Sequence, residues 1–182
     1  VGISVDGLNR DYLSLFWHEL SQGGFKRLVS EGTTFDSFSY GYQSAGNAPD
    51  IATLQTGSLP YLHGIAGDNY FVRKSAKSIP VTADPSAHSF GLDVAHSAHR
   101  LQASTLADQL NEDSQNRAQV VSIAINPTAA TLQVGHSGLA LWMDKQTGRW
   151  TTSSYYETAL PSWAGKTADD YLNKRWEPLH LA

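Results

Sequence analysis

The sequence predicts an α/β fold built around a mostly parallel sheet, and three observations lead there. A short apolar run, Val1–Val5, stops at Asp6-Gly7, as a buried strand does where it enters a loop. A second run, Gln119–Ile125, contains Val-Val-Ser-Ile-Ala-Ile and is the strongest strand signal in the chain. Segments with helical spacing lie between the two, and strands that alternate with helices favour parallel pairing.

The other elements follow in order. Tyr12–Leu20 has apolar residues spaced as in a helix, and Gly24–Ser30 predicts another, closed at Gly32. Thr33–Tyr42, rich in Thr, Phe and Tyr, predicts a strand. A helix should start at Asn47 as N-cap, with Asp50 at the capping-box position, and end at Thr56-Gly57. Residues 73–102 lack periodicity and read as an excursion, a loop or hairpin leaving the core. Thr105–Glu112 predicts a helix with Thr105 as N-cap and Asp108 completing the box. Leu139–Asp144 and Arg149–Ser153, joined through Gly148, predict a β-hairpin. Short helical pieces are expected around 160–163 and 167–173.

Composition excludes several function classes. The 182 residues are 41% hydrophobic and 16% charged, a globular balance. Thirteen basic against 17 acidic side chains give a net charge of −4, with no basic stripe for a nucleic-acid backbone. There is no cysteine for a disulfide or thiolate metal site, and no apolar run is long enough to span a membrane. The chain opens on Val1 without an initiator Met, which suggests trimming upstream.

Four segments, taken in order, carry a resemblance. They are Val1–Gly7, Gly24–Gly32, Leu54–Ile65 with its Thr56-Gly57-Ser58 and His63-Gly64-Ile65, and Val134–His136 followed by Leu141–Tyr156. Together they resemble the opening of the type I phosphodiesterase/nucleotide pyrophosphatase branch of the alkaline phosphatase superfamily. The hairpin and the Ser154-Tyr155-Tyr156 stretch point towards the bacterial phosphate-irrepressible alkaline phosphatases. The resemblance implies that residues 1–182 are the N-terminal portion of one such domain, a doubly wound sheet still incomplete at Ala182. It also implies a periplasmic or secreted protein and a phosphate-ester ligand. In the family, two zinc ions flank a Thr or Ser nucleophile at a helix N-terminus, where metal charge and backbone donors hold the phosphate.

Carried over residue by residue, the resemblance makes Asp6 a zinc ligand. Counting back from Thr56 sets Asn47 at the nucleophile position, where an amide cannot attack; Ser44 and Thr53 are the nearby hydroxyls. Asp68 falls at a position where an Asn contacts phosphate, with Asn69 one residue away. Asn126 and Thr128 stand where a Lys-x-Arg pair would hold the phosphate oxygens. His63 reads as structural, and His96 with His99 could share a metal only if helical. The family's remaining zinc ligands belong to its second half, so this chain alone is expected to bind none.

Three functions compete on these residues. One is a degenerate phosphohydrolase site that retains ligand or partner binding. Another is the N-terminal part of an active metal-dependent phosphomonoesterase or phosphodiesterase, rearranged around Ser44 or Asp50. The last is an interaction module with no ligand.

Overall fold

The computed structural model describes residues 1–35 and 37–165, which fall into two compact units, one of Val1–Ser39 and one beginning at Tyr40. In the first, α1 (Arg10–Leu15) is capped by Asn9, whose Oδ1 accepts the Asp11 N–H at 2.9 Å. The predicted helix to Leu20 instead ends in a turn, in which the Leu20 N–H reaches the Phe16 carbonyl at 3.2 Å. Helix α2 (Phe25–Glu31) carries an Arg27–Glu31 ion pair at 2.9 Å and stops at Gly32 as predicted. Neither helix buries a residue.

The strands predicted at Val1–Val5 and Thr33–Tyr42 are not formed among the described residues. A strand is defined by its ladder with a neighbouring strand, and the ladders among the described residues are formed by other segments. An apolar run states a preference that a partner must complete.

The second unit holds the sheet. Its strands are β3 (Val121–Ala124), β4 (Leu139–Met143) and β5 (Trp150–Thr151), in the order β3-β4-β5. Strands β3 and β4 are parallel, with Val121 opposite Leu139 and Ala124 opposite Trp142. β4 and β5 form the predicted antiparallel hairpin, with Met143 opposite Trp150. Residues Leu139–Trp142 of β4 are all buried, as befits a central strand.

Helix α6 (Pro127–Val134) makes the crossover between the parallel strands. Its Ala130 and Val134 pack with Ala140 and Trp142 of β4. Its Leu132 joins a second cluster with Ala48 and Ala52 of α3 (Asn47–Thr56), Ile65, Val81, Ala98 and Leu101. α6 thus ties the sheet to α3. After α3 come Gly57, a left-handed C-cap at φ 65°, and the short α4 (Pro60–His63).

The stretch 73–102 is of two kinds. Strands β1 (Asn69–Val72) and β2 (Lys77–Pro80) form an antiparallel hairpin with no buried residue. Residues 81–84 and 95–98 then return to the interior and bond to each other, Asp84 N–H to Ala95 O and Ser97 N–H to Thr82 O, both at 2.8 Å. Their polar side chains hide the core signal: Asp84 is buried because Ser86 and Ser97 satisfy its carboxylate.

Helix α5 (Leu106–Asp113) starts in the expected capping box, Thr105 Oγ1 accepting from Asp108 N–H at 3.1 Å and Asp108 Oδ2 from Thr105 N–H at 2.9 Å. The other Asp108 oxygen accepts the His136 and Ser137 N–H groups, joining α5 to the end of α6. Near 160–163 there is one turn, closed by Ala164 N–H on Pro161 O at 2.9 Å. The piece expected at 167–173 lies outside the described residues.

Candidate functional site

The start of α3 is where a hydroxyl nucleophile would be sought, and its geometry differs from the expectation. Asn47 is the first helical residue, and the N-cap is Gly46, at φ 145° and with no side chain to cap with. The cap comes from far along the chain: Asp68 Oδ1 accepts the Ala48 N–H at 2.7 Å. A Cβ at position 46 would lie 2.6 Å from the Asp68 carboxyl carbon, so glycine is required both by the backbone angle and by the close approach. A helix N-terminus favours an anion, and the anion here is the protein's own carboxylate.

Asp50 forms no capping box. Its Oδ2 accepts from Ser44 Oγ at 2.7 Å and its Oδ1 from Tyr42 Oη at 2.9 Å. The network continues inward. Tyr42 Oη meets Thr53 Oγ1 at 3.0 Å, and Thr53 Oγ1 meets His63 Nε2 at 3.0 Å. His63 is fully buried, and its Nδ1 accepts the Ile65 N–H at 3.1 Å. The imidazole is therefore a neutral tautomer with its proton on Nε2, donating to Thr53; burial lowers its pKa, consistent with the neutral form. Thr53 then donates to Tyr42, and Tyr42 to Asp50. Burial raises the Tyr42 pKa, and the Asp50 carboxylate adds to this while the Thr53 bond opposes it. Asp50 thus anchors the loop before α3 and holds the exposed Ser44 hydroxyl beside the helix start. Beside it opens a cleft of about 300 Å³, lined by Tyr42, Pro49, Leu59, Pro60 and Tyr61 among others.

The remaining positions in the second unit have partners of their own. Asn69 opens β1 opposite Pro80. Asn126 caps α6, its Oδ1 accepting the Thr128 N–H at 2.8 Å. Thr128 Oγ1 meets Thr82 Oγ1 at 3.1 Å, and Thr82 Oγ1 meets His96 Nδ1 at 2.8 Å. His96 is buried edge-on against Trp142, and burial pushes its pKa down to about 4. His99 turns elsewhere, Nδ1 lying 2.8 Å from Ser97 Oγ, and residues 95–99 form no helix, so the two histidines share no ligand direction. Asp6 is an exposed turn residue of the first unit, next to Gly7 at φ 71°.

Among the described residues no three His, Asp or Glu side chains are grouped as ligands for a metal ion. A larger cavity of about 370 Å³, lined by Asp108, Glu112 and His136 among others, runs along α5. Its Asp108 carboxylate is already committed to structure: burial opposes ionisation, but the bonds from Thr105, His136 and Ser137 outweigh it and hold the pKa low. The sequence reading missed Tyr42 and Thr82, and the Asp68 contact lies too far along the chain to be seen in local spacing.

Comparison with known proteins gives the relationship. The type I phosphodiesterase/nucleotide pyrophosphatase family profile matches residues 1–178. The chain is 33% identical over 189 residues to a protein named calcium-transporting ATPase from Myroides odoratus, covering 99% of this chain and 34% of that one. It is 32% identical to alkaline phosphatase PafA from Elizabethkingia meningoseptica, covering 96% of this chain and 32% of that one. It is 30% identical to alkaline phosphatase PhoV from Synechococcus elongatus, covering 99% and 34% respectively. The crystal structure of wild-type PafA superposes with a TM-score of 0.78 at 31% identity, over 85% of this chain and 31% of that one. The chain therefore spans about a third of the length of these relatives. It belongs to the type I phosphodiesterase/nucleotide pyrophosphatase family of the alkaline phosphatase superfamily.

Proposed function

We propose that this chain carries a degenerate phosphohydrolase site, with the anion seat at α3 filled by its own Asp68, and that it binds a ligand or partner without hydrolysing phosphate esters. One observation carries the reading: Asp68 Oδ1 on the Ala48 N–H at 2.7 Å. A phosphate arriving there must displace a carboxylate or face it, and like charges at that distance repel. Asn47 offers no nucleophile at the same helix start, and Asn126 and Thr128 supply no cation. Zinc is the metal the family implies; it would supply charge for a phosphate oxygen, and of the described residues only Asp6 matches a ligand position. By the same family relationship we assign the protein to the periplasm or the exterior.

A second reading has an observation of its own. Ser44 Oγ lies 2.7 Å from Asp50 Oδ2, an exposed hydroxyl beside a carboxylate that could take its proton. On that reading the chain is the N-terminal part of an active phosphomonoesterase or phosphodiesterase.

The deciding test is turnover of an aryl phosphate and a bis-aryl phosphate by the pure protein with added zinc. No turnover above background is expected, and Asn47→Thr should stay inactive because parts that act as a unit are not restored singly. Turnover that vanishes in both Asp6→Ala and Ser44→Ala would sink the degenerate reading in favour of the second.

A further inference from the structure

We infer that the β1–β2 hairpin is a docking element for an anionic phospholipid surface. Neither strand buries a residue, and Tyr70 and Phe71 stand 48% and 58% exposed. A two-stranded hairpin without a packed face is marginal in water, so exposed aromatic rings on both of its faces call for a cover. Charge says which cover. Arg73, Lys74 and Lys77 crowd the tip, all exposed, and no Asp or Glu occurs between Asn69 and Ala83. In a chain of net charge −4 this is a local reversal of sign. Among the described residues the ion pairs are Arg27–Glu31 and the approach of His99 to Asp84, and neither engages a hairpin cation.

The hairpin is also held ready. Arg100 Nη1 donates to the carbonyls of Val81 at 2.9 Å and Ala83 at 2.6 Å, while its guanidinium lies 4.8 Å from the centre of the Tyr70 ring. The turn is closed by Ser75 N–H on Val72 O at 3.2 Å. Cations beside aromatic rings suit the boundary between headgroups and acyl chains, where the rings are buried and the charges meet lipid phosphate. Three cations are too few to track a nucleic-acid backbone, and exposed rings would gain less there, so a bilayer is the better fit.

The test is co-sedimentation of the full chain with vesicles of equal parts phosphatidylcholine and phosphatidylglycerol, against phosphatidylcholine alone. Binding to the anionic vesicles only is expected, lost in about 1 M NaCl, where charges are screened beyond ~3 Å. The triple variant R73E/K74E/K77E should bind at least roughly a hundredfold more weakly, since each cation near such a surface contributes about fivefold. Phe71→Ser should weaken binding with its salt dependence kept. Because the chain has no cysteine, Ser75→Cys can carry a single polarity-sensitive dye at the tip, whose emission should shift to the blue on anionic vesicles. Absent binding, an unshifted dye, or a folded triple variant that binds like the parent would overturn the inference. So would retention on heparin or duplex DNA without vesicle binding, which would assign the patch to a soluble polyanion.

Discussion

Helices α3 and α6 both begin with an Asn, as first residue in α3 and as N-cap in α6, yet they meet the same physical need in opposite ways. At α6 the answer is local: Asn126 takes the Thr128 N–H two residues on. At α3 the local residue contributes no cap, and Asp68 crosses 20 residues of sequence to reach the Ala48 N–H. The same residue type therefore caps at one helix and not at the other, and the difference lies in what precedes it. Extended backbone at Asn126 aims its amide into the first turn, whereas Gly46, at φ 145°, holds the cap position at α3 and leaves the seat open to a remote carboxylate. A helix start that accepts an anion from elsewhere is the arrangement a phosphate site needs, and here the protein supplies the anion.

The largest expected effect lies on the α6 side, in the chain Thr128–Thr82–His96. The folded pKa of His96 is about 4, below its ordinary value of 6.5, because burial disfavours the cation. The unfolded chain then binds the extra proton first, so the folded state is destabilised as pH falls from about 6.5 to about 4, by roughly 3 kcal/mol in all. His96→Gln should flatten that limb in denaturant unfolding followed against pH; an unchanged limb would show that other groups set it.

Next comes the α3 side. Gly46→Ala forces a β-carbon into the Asp68 carboxylate at an angle that L-residues avoid, and about 2 kcal/mol of stability should be lost. Combining it with Asp68→Ala should cost less than the sum of the two, because one substitution removes what the other collides with. Full additivity would deny the contact.

The smallest effects sharpen the contrast most directly. Asn126→Ala should cost about 1 kcal/mol, the usual loss of an N-cap, while Asn47→Ala should change stability by less than ~0.5 kcal/mol. Thermal melts of the two variants give the comparison, and equal losses would mean that Asn47 caps α3 after all.

What was legible in the sequence follows the same division. The Thr105/Asp108 capping box, the glycine stops at Gly32 and Gly57, strand β3 and the β4–β5 hairpin are written within a few residues, and each stands as read. Val1–Val5 was read from its own residues, but a strand is a property of a pair. The interior of 81–84 and 95–98 escaped because its polar residues are buried with partners, Asp84 with Ser97 and Thr82 with His96 and Thr128, which hydrophobic pattern does not register. At the candidate site the sequence offers positions and not contacts. The resemblance assigns Asn47, Asp68, Asn126 and Thr128 by alignment alone, whereas the carboxylate cap and the Asp50–Tyr42–Thr53–His63 network depend on which side chains meet in space.

Helix α6 has one further consequence. Its residues belong to two hydrophobic clusters at once, Leu132 with α3 and Ala130 and Val134 with β4. A helix with one buried face can open while its neighbours persist. α6 cannot lift from the sheet without also baring the floor beneath α3, so the openings of α3, α6 and β4 are coupled. Helices α1 and α2 bury no residue and belong to none of the hydrophobic clusters of the described residues.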